Sequence, residues 1–337
     1  MIRVLFRVDA GSGIGAGHMM RCLALAEALH ARGGSAALLT ASSSPLPPGW
    51  SALDAEVLRC PSAELGGPVD LALTAALAAE IEADWVVVDG YHFDAPWLDA
   101  LGHSRRLLYL DDLGERDAAA TIVLNQNAGA EARYGGAYRR CKHSLLGLEW
   151  FLLGSAWGGV RYAPEARRLL LTLGGSGGAE LMLALMRALR ARGGRFFADV
   201  VIPAPIAEAR ELVLFARDHA DCFEVVEGPL PLAPMMARAS VVICGGGVTP
   251  LEALSLGVVP VILTLAENQV PGSRQLAAMG AARVASADRD GVVAAARMAL
   301  ELFDDGPVPL PMVAAGRRLV DGKGGERVVQ IMMRETT

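Results

Sequence analysis

The stretch Arg3-Val-Leu-Phe-Arg-Val8-Asp9-Ala-Gly11-Ser-Gly-Ile-Gly-Ala-Gly17-His18-Met-Met-Arg21-Cys22-Leu23 changes pattern twice. Arg3–Val8 is a short apolar run of the length of a buried strand. It passes into alternating glycines, Gly11, Gly13, Gly15 and Gly17, which let backbone approach a ligand closely. From about His18 to Arg32, Met19, Cys22, Leu23, Ala26 and Leu29 recur close to a 3.6-residue period, the mark of a helix buried along one side. Strand, glycine turn and helix in this order open an α/β unit, with free N–H groups at the helix start. The strict dinucleotide fingerprint is not met. Gly11-x-Gly13-x-x-Ala16 comes close, but no acidic residue closes a second strand near Thr40.

Working outward, the theme repeats. Strands are expected near Ala36–Leu39, Trp85–Asp89, Leu107–Leu110 and Thr121–Leu124, with helices near Leu71–Ile81 and Pro96–Leu101. In the second half, strands are expected at Arg168–Leu173, Phe197–Ile202, Phe223–Val226, Val241–Cys244 and Val258–Leu263. Helices are expected at Ala179–Ala191, Ile206–Phe215, Pro231–Ala237, Pro250–Leu256 and Ser273–Met279. Strands alternating with helices imply parallel sheets covered on both faces. The Gly- and Trp-rich stretch Gly154–Pro164 marks a boundary. The expected organisation is an α/β fold: a Rossmann-like domain over residues 1–155, a second over 165–312, and a terminal helix over 313–337 that could cross back to the first domain. A helix is legible from Met312 to Met333. Ligands of such sheets bind outside the carboxyl ends of the strands, so two sheets facing each other would hold the site in a central cleft.

Composition narrows the function. The chain has 337 residues and a formal net charge of −6, without the basic surplus of a general nucleic-acid binder. Of 31 Lys and Arg, only Lys142 and Lys323 are lysines, and neither follows a glycine-rich phosphate loop, which disfavours Walker-type and Schiff-base chemistry. The 5 cysteines are widely spaced, with no C-x-x-C, as expected of reduced thiols in the cytoplasm. The 6 histidines form no close pair, so no metal site is expected. The N-terminus lacks the apolar core of a signal peptide, and the apolar stretch Val241–Leu265 is broken by Gly245–Gly247, Pro250, Glu252 and Pro260, so no membrane span is expected. No cofactor is expected, and the protein is expected to be a cytoplasmic monomer.

Candidate functional residues gather at the strand ends. His18 stands at the helix start, where the dipole favours neutral imidazole, the form a general base needs. Arg7 and Asp9 end the first strand, and Asp9 would orient His18 or bind sugar hydroxyls. Gly174-Gly-Ser176-Gly-Gly178 matches the text of a nucleophile elbow, but the only later histidine, His219, sits in a polar run. A phosphate-cradling loop through Gly175 and Ser176 fits better. Cys244-Gly-Gly246-Gly247-Val-Thr249-Pro-Leu-Glu252 is a third such junction, with Glu252 one turn into the helix, where a carboxylate can accept both ribose hydroxyls. Asn268 and Gln269 offer donor–acceptor pairs for phosphate or sugar. Asp89-x-Tyr91, Asp111-Asp112 and Asn125-x-Asn127 end further strands and suit sugar binding.

Phe6-Arg7-x-Asp9, Ile14-Gly15-x-Gly17-His18-x-x-Arg21-Cys22, Asp89-x-Tyr91, Asp111-Asp112, Asn125-x-Asn127, Leu173-Gly-Gly-Ser176, Gly246-Gly-Val-Thr-x-x-Glu252 with Gly257 and Pro260, and Ala266-Glu-Asn-Gln269 occur in one order. The combination resembles the UDP-sugar hydrolase of pseudaminic acid biosynthesis and the related spore-coat polysaccharide proteins, over most of residues 1–290. The resemblance implies a GT-B fold, similar to the N-acetylglucosaminyltransferase of peptidoglycan synthesis. It implies UDP on the C-terminal domain with Glu252 on the ribose, and His18 as the base that activates water. It also implies hydrolysis of UDP-2,4-diacetamido-2,4,6-trideoxy-β-L-altrose to UDP and free sugar without a metal, in flagellin or surface-glycan modification. A glycosyltransferase using a UDP-sugar, or a silent nucleotide-sugar-binding protein, is the alternative.

Overall fold

The computed structural model describes every residue except Met1, Ser12, Gly13, Gly15, Ser42, Ser62, Ala63, 175–177, 203–208, 228–231, 305 and 307. The expected roles of Gly15, Gly175 and Ser176 therefore lie outside the described residues. The chain divides into two compact units, Met1–Ser155 with Gly322–Thr337, and Ala156–Asp321.

Among the described residues, the first unit carries seven strands: β1 (Arg3–Val8), β2 (Ser35–Ala41), β3 (Glu56–Cys60), β4 (Trp85–Asp89), β5 (Arg106–Leu110), β6 (Ala120–Asn125) and β7 (Cys141–Leu146). Their order is β3-β2-β1-β4-β5-β6-β7, all parallel. Strand alternation sorts the apolar side chains onto two faces. Val4, Phe6, Val8, Trp85 and Val87 join the helices Gly17–His30 and Gly324–Thr336 in one cluster. Leu5, Val86, Val88 and Tyr109 join the helices Pro68–Glu80 and Ala95–Gly102 in the other. The chain reverses its order between β1 and β4, and such switch points are where open α/β sheets bind ligands.

The second unit carries β8 (Arg168–Thr172), β9 (Phe197–Ile202), β10 (Phe223–Glu227), β11 (Val241–Gly245), β12 (Val259–Thr264) and β13 (Arg283–Ser286), ordered β10-β9-β8-β11-β12-β13. Leu169, Leu171, Val241 and Ile243 pack against the helices Ala179–Arg192 and Arg289–Glu301, while Leu170, Val242 and Cys244 face the helices Leu232–Arg238 and Thr249–Leu256. The switch point falls between β8 and β11, and the Gly245–Gly247 run closes β11 there.

Two expectations change. The helix read through Met312–Met333 is two helices, Leu310–Leu319 and Gly324–Thr336, with Val320 extended at the break. The first belongs to the second unit and the second to the first. There, Gly325 lies close to Ala24 and Ala28, and Trp85 Nε1 donates to Thr336 Oγ1 at 2.9 Å. The helix Arg289–Glu301 and the strands β3, β7 and β13 were not anticipated. No helix among the described residues is long and apolar enough to cross a membrane.

Candidate functional site

The glycine turn delivers His18 as the second residue of its helix, 7 % exposed. Its Nδ1 stands 2.7 Å from Asp89 Oδ1, at the end of β4. Arg21, one turn further along the helix, grips the same carboxylate with Nε at 2.6 Å and Nη2 at 2.7 Å. Arg21 Nη1 then reaches Asp112 Oδ1 at 2.8 Å. Asp112 also accepts from Tyr91 Oη at 3.0 Å and Asn127 Nδ2 at 2.9 Å. The Tyr91 ring lies edge-on to His18, with centroids 4.8 Å apart, and the tyrosine is half exposed. His18, Arg21, Asp89, Tyr91, Asp112 and Asn127 therefore form one cluster.

Its electrostatics fix the histidine's tautomer. Burial opposes the Asp89 charge, but Arg21 and then His18 outweigh it and hold the carboxyl below the usual range. Burial likewise opposes the Asp112 charge, and Arg21 overcomes it. An ionised carboxylate only accepts, so Nδ1 of His18 carries the hydrogen. Arg21 Nη2 also lies 3.1 Å from Nδ1. A protonated nitrogen cannot accept that donor, and the shorter contact with an ionised acceptor governs. Nε2 is then the basic nitrogen, as in a histidine oriented by aspartate for proton abstraction.

Arg7 and Asp9 belong to a separate, neighbouring set of ion pairs. Arg7 is fully buried, forks onto Asp70 with Nε and Nη2 both at 2.7 Å, and donates Nη1 to Asp9 Oδ2 at 2.8 Å. Asp9 Oδ1 accepts from the Ala41 N–H at 2.6 Å. The partner of His18 is thus Asp89, not Asp9; Asp9 faces His92 instead. Asp111 and Asn125 are buried supports. Asp111 takes Arg116 Nη2 at 3.1 Å and Tyr138 Oη at 3.2 Å, and Asn125 Oδ1 accepts from the Asn127 N–H at 3.1 Å. Sequence reading missed Asp70 and His92. Each is far from its partner along the chain, and only strand order joins them.

In the second unit, Gln269 Oε1 accepts from the N–H groups of Gly246 at 3.1 Å and Leu265 at 2.9 Å, tying the β11 turn to the end of β12. A Cβ at Gly246 would stand 2.8 Å from Ser273 Oγ and 2.9 Å from Gln269 Cβ, so this close approach needs glycine. Thr249 opens the next helix, while Gly247 and Asn268 are exposed. The Glu252 carboxylate has no hydrogen-bond partner among the described residues, and burial pushes its pKa up to about 7. The folded chain thus holds this proton more tightly than the unfolded one. That stabilisation is complete below about pH 4.5, the ordinary glutamate value, and is lost as pH rises through about 7. Glu252→Gln is expected to remove this loss: between acid and mildly alkaline buffer its melting temperature should fall less than the wild type's.

No known family profile matches the chain. The spore coat polysaccharide biosynthesis protein SpsG of Bacillus subtilis (strain 168) is 25% identical over 179 residues, and the match spans 50% of this chain and 50% of that protein. Among solved structures, MurG of Acinetobacter baumannii superposes with a TM-score of 0.71 at 15% identity, covering 99% of this chain and 100% of that one. A putative UDP-N-acetylglucosamine 2-epimerase from Listeria monocytogenes gives 0.68 at 14% identity over 100% and 97% of the two chains. These likenesses extend over both units, and the fold is GT-B.

Proposed function

We propose that the protein is a UDP-sugar hydrolase that cleaves the anomeric C–O bond of UDP-2,4-diacetamido-2,4,6-trideoxy-β-L-altrose or a close relative. One observation carries the reading: Asp89 binds His18 Nδ1 at 2.7 Å, which leaves Nε2 as a base at the switch point of the first sheet. The partial match to a polysaccharide biosynthesis protein supports a sugar substrate.

In this reading the second unit binds UDP. Glu252 receives the ribose hydroxyls, and the helix start at Thr249, with Gly246, Gly247, Asn268 and Gln269, receives the diphosphate. On the first unit, Arg21, Tyr91, Asp112 and Asn127 bound the sugar pocket. His18 Nε2 takes a proton from water as the water oxygen bonds to the anomeric carbon. The C–O bond to the diphosphate breaks with its electron pair passing to UDP, and Asp89 stabilises the imidazolium. A single displacement inverts the anomeric centre. No metal takes part.

Turnover in ¹⁸O-water tests this. Label is expected in the free sugar. Label in UDP would mean P–O cleavage and overturn the mechanism. UDP release only on addition of an acceptor would make the enzyme a glycosyltransferase, with an acceptor hydroxyl in place of water.

A further inference from the structure

A second histidine–aspartate pair stands beside the first. β1 and β4 are neighbours, with Val8 opposite Asp89. Asp9 follows β1, and Asp89 ends β4. Each carboxylate holds one arginine and faces one histidine, and each arginine bridges to a further aspartate. One set is Asp9, Arg7, Asp70 and His92; the other is Asp89, Arg21, Asp112 and His18. The loop after β4 serves both. Tyr91 lies against His18, and the next residue, His92, brings Nε2 to 3.1 Å from Asp9 Oδ2. The proposed reaction uses only the His18 set.

His92 is fixed and yet open. Nε2 is buried and lies off the line of a hydrogen bond to Asp9, at ion-pair distance. The ring leans on Phe93 with centroids 4.1 Å apart, and its side chain is 21% exposed. Gly90 has φ +154°, a value side-chain-bearing residues rarely adopt, and a Cβ there would stand 2.7 Å from His92 Cε1. The backbone folds beneath this ring because residue 90 is glycine. Burial opposes the Asp9 charge, but His92 and then Arg7 hold the carboxyl below its usual range. An ionised acceptor faces Nε2, which therefore carries hydrogen. The other ring nitrogen, Nδ1, has no partner among the described residues. A Cβ at residue 90 would also stand 3.2 Å from Nδ1, so glycine keeps the side of the ring that carries this unpartnered nitrogen uncrowded.

We propose that His92 is a specificity-determining contact for the sugar of the nucleotide sugar. Nδ1 accepts a hydrogen from a hydroxyl or acylamino N–H, and the packing on Phe93 together with the close approach to Asp9 holds the ring. This rests on the nucleotide-sugar reading above. The two ring nitrogens can be separated by substitution, because Asn places a polar atom near Nδ1 and Gln places one near Nε2.

The probes are UDP and UDP-N-acetylglucosamine, which carries both hydroxyls and an acylamino group. Both are titrated calorimetrically into the wild type, His92→Gln and His92→Asn. His92→Gln is expected to bind UDP-N-acetylglucosamine about tenfold more weakly, the worth of one hydrogen bond, with UDP affinity unchanged. His92→Asn is expected to keep most of the affinity. The reverse order, or wild-type affinity in both variants, would overturn the assignment and leave His92 a support for Asp9. A second readout needs no variant: UDP-N-acetylglucosamine, but not UDP, is expected to slow carbethoxylation of wild-type His92 by diethyl pyrocarbonate. Equal rates with the sugar nucleotide bound would also overturn it. A wild-type protein that bound neither probe would instead bring down the nucleotide-sugar reading, and this assignment with it.

Discussion

His18→Ala is expected to cut UDP release by about 10³-fold, within the range general-base catalysis supplies, while UDP affinity holds. Asp89→Asn is expected to approach the same loss by another route. The carboxylate that accepts from Nδ1 becomes an amide, which can turn its N–H₂ toward the ring and favour the tautomer with hydrogen on Nε2, as in other aspartate–histidine pairs. The base would then be present but inverted. Single-turnover UDP release measured on both variants, beside calorimetric UDP binding, checks this. A His18→Ala enzyme within a few-fold of wild type would remove the histidine from the chemistry. Loss of UDP binding in step with rate would mean that the substitution had damaged the protein instead.

Arg7→Met is expected to be the most destabilising single change in the first unit, by about 3–5 kcal/mol, because it strands two buried carboxylates. Asp9 is fully buried, Asp70 is 3% exposed, and the guanidinium supplies both with short hydrogen bonds. Lysine would not replace it, since a single ammonium cannot fork onto Asp70 while reaching Asp9. Urea unfolding monitored by tryptophan fluorescence measures the loss. Arg7→Met combined with Asp70→Asn should recover part of it, because one stranded charge is gone. A loss of about 1 kcal/mol or less would place the trio with exposed ion pairs. Acid should act in the same direction. Asp9 and Asp89 both ionise more readily folded than unfolded, so their stabilisation is present above the ordinary carboxylate range and is lost as pH falls below it.

The fold was legible where elements are buried on both faces. β1, β4, β5 and β11 are nearly continuous apolar runs, and the helix after β1 keeps its period. β3, β7 and β13 are edge strands, half covered, and Glu56, Arg59, Lys142 and Arg283 break up any apolar run. The helix Arg289–Glu301 buries mainly alanines, Ala295, Ala296 and Ala299, whose small side chains give a faint pattern. Its start was nonetheless written in Asp288, which accepts from the Gly291 N–H at 2.7 Å.

At the site, residue types were legible and pairings were not. His18 could be singled out by its place after the glycine turn. Its partner lies 71 residues away, and the sequence-adjacent Asp9 was the natural but mistaken choice. The crossover that sets β4 beside β1 brings Asp89 to the ring, and no local pattern announces a crossover. Arg7 and Asp111 were read as ligand-facing because they end strands, yet both point into protein and find charged partners there.

The second unit interrupts the first, whose last helix is translated only after Asp321. Val328, Val329 and Met332 of that helix share a cluster with Met19, Leu23 and Trp85. On the ribosome, then, the half bearing His18 waits with an oily flank uncovered while the whole of the other half is made. A stop or frameshift after Asp321 would remove the helix that covers the half bearing His18, although most of that half is encoded at the opposite end of the message.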